Sequence, residues 1–214
     1  MATPQHSKIL NKVAREVLKP IGVKQKGRSR TWLDDQGWWV TVIEFQPSRW
    51  SKGSYLNVGV NWQWYPNDYF SFDLGYREEN YIEYKSGEQF EPEALKLSQA
   101  ALGKVEEYRE ALRNIEAAKQ HLLRAIEGQR FTFWGEFHCG MICAIAGDLE
   151  RALSYFDQVL DYEEDREWAI KLQKFTLDLS TQIREGGEFL PKICETIAET
   201  RRLKKLDEWQ CVFR

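Results

Sequence analysis

Residues 38–64 read WWVTVIEFQPSRWSKGSYLNVGVNWQW, and their alternation decides the fold class. In the second half Leu56, Val58, Val60, Trp62 and Trp64 fall on one side of an extended chain, while Tyr55, Asn57, Gly59, Asn61 and Gln63 fall on the other. A period of two with one greasy face and one polar face is the mark of a half-buried strand. Trp38 to Gln46 reads as a second strand, and Pro47 to Ser54, with one Pro, one Gly and several Ser, turns the chain between them. The stretch is therefore a β-hairpin.

Before the hairpin, Thr3-Pro4 predicts an N-cap and first-turn proline, and Ile9, Leu10, Val13, Val17 and Leu18 recur at spacings of three and four. The spacing predicts an amphipathic helix over residues 5–19, ended by Pro20 and Gly22. Lys24, Lys26, Arg28, Arg30 and Trp32 occupy alternate positions and would project to one side of an extended basic arm. Arg28 to Asp34 is expected to be a strand that enters the hairpin through the turn Asp34-Asp35-Gln36-Gly37. After Pro66-Asn67-Asp68, the runs 69–74 and 80–84 predict a fourth strand and a fifth.

From Glu91 the apolar spacing changes to three or four. Leu102, Val105, Tyr108, Leu112, Ile115, Leu122 and Ile126 predict one long helix ending at Gly128, with Gly103 near its start. Further helices are expected from Thr132 to Ala146, from Leu149 to Leu160 with Asp148 as N-cap, from Trp168 to Ile183 and from Phe189 to Leu206. Strands followed by helices imply an α+β protein: an N-terminal helix, an antiparallel sheet of 4–5 strands, then a C-terminal helical half of about five helices. Residues 1–90 hold the helix and sheet and residues 91–214 the helical half, which is expected to pack with the sheet as one domain.

Composition narrows the function classes. A chain of 214 residues with 43% hydrophobic content can bury a core and is not a disordered segment. The net charge of −3 hides an uneven distribution, because residues 1–30 carry eight Lys or Arg against the single acid Glu16. The acidic whole argues against bulk nucleic-acid binding but leaves a local anion site open. No window approaches the ~18 to 20 consecutive apolar residues of a membrane span. Four cysteines, Cys139, Cys143, Cys194 and Cys211, with no apolar leader after Met1, are expected to be free thiols in a cytoplasmic protein.

Signals for catalysis are sparse. There is no Gly-x-Gly-x-x-Gly, no P-loop and no His-Glu-x-x-His. Cys139 and Cys143 lie four apart beside His138, but no further ligand cluster follows, and core cysteines explain them better than metal ligands. A catalytic cysteine with His6, His121 or His138 lacks a nucleophile motif. The acidic run Asp161, Glu163, Glu164, Asp165 and Glu167 lacks the spaced glycine and oxygen ligands of a calcium loop and reads as a solvated helix end. Gly140, Ala152 and Phe156 are spaced as in one tetratricopeptide unit, but no repeat of ~34 residues recurs, so an ordinary αα-hairpin is expected. No catalytic residue, metal ligand or cofactor is assigned.

The polar sheet face is the candidate binding surface. Tyr55, Asn57, Asn61 and Gln63 come from one strand and Glu44 and Gln46 from the other, with Arg28, Arg30 and Trp32 added if the basic arm pairs alongside. Amides, guanidinium groups and aromatic rings on one surface suit a polar planar group, a sugar or a protein loop. A solvated face, or one capped by the helical half, is the competing expectation.

The segments LKPIGVKQKGRSRTW (residues 18–32), VIEFQPS (residues 42–48) and LNVGV (residues 56–60) resemble the uncharacterised domain-of-unknown-function family DUF4304. The resemblance spans residues 5–75, with Val23 where the family has an aromatic residue, and covers the helical half loosely. It marks Gln46, Asn57 and Gly59 as positions of interest and, through members similar to toxin-neutralising immunity proteins, implies a protein partner. The leading expectation is a non-enzymatic cytoplasmic protein that binds a protein partner through the polar sheet face. The alternative is a small polar ligand or anion site at the hairpin, with enzymatic activity left open, and nucleic-acid binding ranks last.

Overall fold

The structure, a computed structural model, describes residues 4–127 and 133–213, and of Glu79 and Asn80 the backbone alone. The architecture is α+β: an N-terminal helix, an antiparallel sheet of five strands among the described residues, then helices. The chain divides into two compact units, residues 1–61 with 69–110, and residues 62–68 with 111–214.

In the first unit, α1 (Gln5–Leu18) buries Leu10, Val13, Ala14 and Leu18, the stripe expected from its apolar spacing. Its expected N-cap, Thr3, lies outside the described residues. The helix tightens into a 3-10 turn, Lys19–Ile21, and stops at Gly22, whose φ of 90° favours glycine. The extended basic arm is not formed. β1 (Lys24–Gln25) and β2 (Thr31–Asp35) pair antiparallel, Lys24 opposite Leu33, so the chain reverses between them. Ser29 drives the turn, its N–H and Oγ both donating to the Lys26 carbonyl at 3.1 and 2.7 Å. A turn there scatters the alternate basic side chains that an extended strand would have aligned.

β3 (Trp39–Gln46) and β4 (Gly53–Trp62) follow as neighbours, and β5 (Arg77–Glu83) pairs antiparallel with β4 across a bulged register. The order is β1-β2-β3-β4-β5. Trp32 stands opposite Ile43 and Asp34 opposite Thr41, so these share a face with Phe45. α1 and α2 (Gly87–Ala111) bond to this face, Ser7 of α1 accepting from Arg30 and Arg109 of α2 donating twice to the buried Asp34 at 3.0 and 2.5 Å. The expected strand at 69–74 is reduced to one bridge, Val60 with Leu74. Its segment instead lies against the second sheet face, since a Cβ on Gly59 would meet the Leu74 carbonyl at 2.7 Å and the Phe72 ring at 2.9 Å.

Helix boundaries follow caps more closely than apolar spacing. α2 begins at Gly87, where Ser86 Oγ accepts from the Gln89 N–H and the Gln89 side chain accepts from the Lys85 N–H, a local variant of the capping box. It ends at Ala111, and α3 (Ile115–Ile126) restarts behind Asn114, whose Oδ1 accepts from the Ala117 N–H at 2.9 Å. The single long helix expected here is thus two. Its expected end at Gly128 and the next expected start at Thr132 lie outside the described residues.

In the second unit, α4 (Phe133–Ile145) is buried along almost its whole length and forms the centre. α5 (Leu149–Leu160), α6 (Glu167–Arg184) and α7 (Leu190–Leu203) accompany it. Gly140 of α4 lies so close to α5 that an added Cβ would stand 2.4 Å from the Phe156 ring, which accounts for the Gly140–Phe156 spacing by an αα-hairpin. Trp64 Nε1 donates to His138 Nδ1 at 3.0 Å, and Tyr65 meets Trp134, Phe137 and Phe175 edge-on. After α7 the chain folds back, Leu206 N–H donating to the Arg201 carbonyl. This return carries Cys211 to within 5.7 Å (Cα to Cα) of Cys194, and the two form a disulfide. The expectation of four free thiols therefore holds only for Cys139 and Cys143.

Candidate functional site

The second face of the sheet carries the polar residues that the alternation of β4 predicts, and they bond to one another. Asn57 Nδ2 donates to Glu44 Oε2 at 2.9 Å and lies 3.3 Å from Gln46 Oε1. Gln46 Oε1 also accepts from Arg77 Nη2 at 2.7 Å. The Arg77 guanidinium stacks 4.1 Å over the Tyr55 ring, which in turn packs on Tyr81 at 4.9 Å. Tyr81 is joined to Ser51 in the β3–β4 loop by a 2.7 Å hydroxyl contact. Further along β4, Asn61 Nδ2 donates to Ser71 Oγ at 2.8 Å and Asp73 Oδ2 at 3.0 Å.

These bonds divide the predicted residues into an accessible set and a buried one. Glu44, Gln46 and Tyr55 are half-buried and Arg28 is exposed on the turn after β1. Asn57, Asn61 and Gln63 are buried, so they are not part of an open surface. The cause for Asn57 and Asn61 is the 71–77 segment, whose Ser71, Asp73 and Arg77 engage the network from above. The buried Nδ2 groups of Asn57 and Asn61 are satisfied internally, while Asn57 Oδ1 has no hydrogen-bond partner among the described residues. Gln63 belongs to the second compact unit.

Two further assignments change. Trp32 is buried opposite Ile43 and so points to the helix-bearing face, away from Glu44 and Gln46. Arg30 is a structural staple: its guanidinium donates to the Phe45 carbonyl at 3.4 Å, the Gly53 carbonyl at 3.1 Å and Ser7 Oγ at 2.8 Å. Burial holds its pKa below the ordinary arginine value.

Sequence reasoning missed four members of this surface. Arg77 and Tyr81 stand four apart on β5 and reach the same tyrosine, a period-two signal present in the sequence. Tyr76 packs beside Arg77 and is half exposed. Trp50, at the tip of the β3–β4 loop, is 95% exposed. Its loop is bonded locally, Ser48 Oγ accepting from the N–H groups of Trp50 and Ser51 at 3.1 and 3.4 Å.

The helical unit was the other place to look for chemistry. Cys139 and Cys143 are buried, and burial pushes their thiols up to about 12 and about 11. They remain neutral near pH 7, which removes the thiolate that nucleophilic chemistry needs. Among the described residues no group of three or more His, Cys, Asp or Glu side chains is arranged to hold a metal ion. No described helix is long and apolar enough to cross a membrane.

The class of protein that these features define is an α+β protein with a self-bonded polar sheet face and an aromatic, arginine-bearing rim. No protein-family model, no curated protein and no solved structure matches the chain.

Proposed function

We propose that the chain is a non-enzymatic binding protein that recognises a protein partner through the rim of the polar sheet face. The contact residues in this reading are Trp50, Tyr55, Tyr76 and Arg77, with Gln46 behind them. The observation that carries it is Trp50: a 95% exposed indole on a loop held by Ser48 and joined through Ser51 and Tyr81 to the Tyr55–Arg77 stack. Tryptophan, tyrosine and arginine concentrate binding energy at protein interfaces, and side chains already held by local bonds lose less entropy on docking. The interior of the face is left out of the contact because Asn57 and Asn61 are already bonded within the chain.

The resemblance to DUF4304 gives this reading its specific form, an immunity-type protein acting on a toxin encoded beside it. The test is to co-express the chain with the products of its flanking genes and titrate each purified pair by calorimetry. A partner should bind wild type at least tenfold more tightly than Trp50→Ala and Arg77→Ala, both of which should keep the wild-type circular dichroism. Absence of any binding partner among those products refutes the immunity-type reading, and a partner indifferent to both substitutions refutes the rim as its contact.

A further inference from the structure

A second site, independent of the sheet rim, is present in the helical unit. Glu136 lies in the first turn of α4 and is only 5% exposed. Tyr162 shares a hydrogen bond with its carboxyl group, while Oε2 has no hydrogen-bond partner among the described residues. The side chain lines a cleft of about 380 Å³ together with Gln158, Asp161, Tyr162 and Glu163. Three carboxylates thus face one cleft, and among the described residues no lysine or arginine lines it. The nearby Arg166 is paired with Glu164, Nε to Oε1 at 2.8 Å.

The residues around this open cleft are held by hydrogen bonds and ring contacts. Gln173 of α6 donates to the Tyr162 carbonyl at 2.8 Å and the Val159 carbonyl at 3.2 Å, which fixes the turn after α5. Phe133 supports the Tyr162 ring edge-on at 5.2 Å and packs on Trp168 at 5.5 Å. Asp161, Tyr162 and Glu163 are exposed at the rim while Glu136 lies beneath. A carboxylate taken out of water with an unused acceptor is costly unless a donor or a positive charge reaches it. The carboxylates do not gather as metal ligands. Separate acceptors beside an aromatic ring match a cation that carries several N–H donors.

We propose that this cleft binds an organic cation, a primary ammonium or guanidinium on an alkyl chain, with Glu136 Oε2 as the inner acceptor and Asp161 and Glu163 at the rim. Such a group is presented either by a free polyamine or by a lysine or arginine side chain of another protein.

Calorimetric titration separates these sources, using spermidine, agmatine and two blocked tripeptides centred on lysine and on arginine. Saturable binding of at least one probe is expected, weakened at least tenfold by Glu136→Gln and severalfold by the double variant Asp161→Asn/Glu163→Gln. The double variant keeps the test decisive if Glu136→Gln fails to fold by circular dichroism. Binding confined to spermidine or agmatine identifies a free amine, and preferred binding of a tripeptide identifies a side chain. No saturable binding by any of the four probes, or binding unchanged in the folded variants, overturns the site.

Discussion

Substituting Gly140 by alanine sets two effects of opposite sign against each other. Gly140 is within α4, where exchanging glycine for alanine ordinarily stabilises a helix by about 0.5 to 1 kcal/mol. The structure reverses the balance. The new Cβ would stand 2.4 and 2.5 Å from two carbons of the Phe156 ring, and carbon atoms in contact need about 3.5 Å or more. The ring is fully buried and touches Phe137, so it has no open space to move into. Overpacking of this kind costs about 1 to 3 kcal/mol, leaving a net loss of about 0 to 2.5 kcal/mol after the helix gain. Gly103 of α2 is the matched control, because nothing lies within 4 Å of the position its Cβ would take. Gly103→Ala should raise stability by about 0.5 to 1 kcal/mol. Urea unfolding followed by circular dichroism measures both, and Gly140→Ala/Phe156→Leu completes a double-mutant cycle. Relief of the overlap should make Gly140→Ala less damaging in the Phe156→Leu background. If Gly140→Ala is more stable than wild type, or shifts stability equally in both backgrounds, the close α4–α5 approach is wrong.

Two further measurements probe the helical unit. The Cys194–Cys211 bridge closes a loop of 17 residues, so its loss should cost about 3 kcal/mol. Wild type in excess reductant and the Cys194→Ser/Cys211→Ser variant should unfold at the same lower urea midpoint, and labelling of four free thiols in denatured, unreduced protein would refute the bridge. For Glu136, burial raises the pKa above its ordinary 4.5, with the Tyr162 hydrogen bond opposing. The folded state then holds the proton more tightly than the unfolded state. The associated stability is complete below the unfolded pKa and is lost as pH rises through the folded one. Urea midpoints measured from acidic to neutral pH should therefore fall less steeply in Glu136→Gln than in wild type, and parallel profiles would contradict the burial of this carboxyl group.

Much of the fold was legible from local pattern. The α1 stripe, the β3–β4 hairpin and the extent of α5 follow from apolar periodicity, because each element presents one continuous face to a core. The α2–α3 break was legible too, but in a different signal. Asn114 at an N-cap outweighs the unbroken apolar spacing on either side, since the backbone N–H groups of a new helix need an acceptor. The candidate site was read less completely. The alternation of β4 correctly put Tyr55 and Asn57 on the side of Glu44 and Gln46, yet Arg77 and Tyr81, which complete that network, lie twenty residues or more away along the chain. Trp50 drew no notice because a tryptophan in a loop has no periodicity.

The amino-acid sequence alone determined which residues share a strand face or a helix stripe, because side-chain direction repeats every two or 3.6 residues whatever surrounds the element. Only the tertiary structure decided what covers each face. The basic arm was folded back so that Lys24 stands opposite Leu33, and the polar face was closed by Ser71, Asp73 and Arg77. Cys211 was returned to Cys194, and Glu136 came to lie beneath Tyr162. Each of these depends on segments meeting across a loop, and local chain stiffness carries no information about such distant encounters.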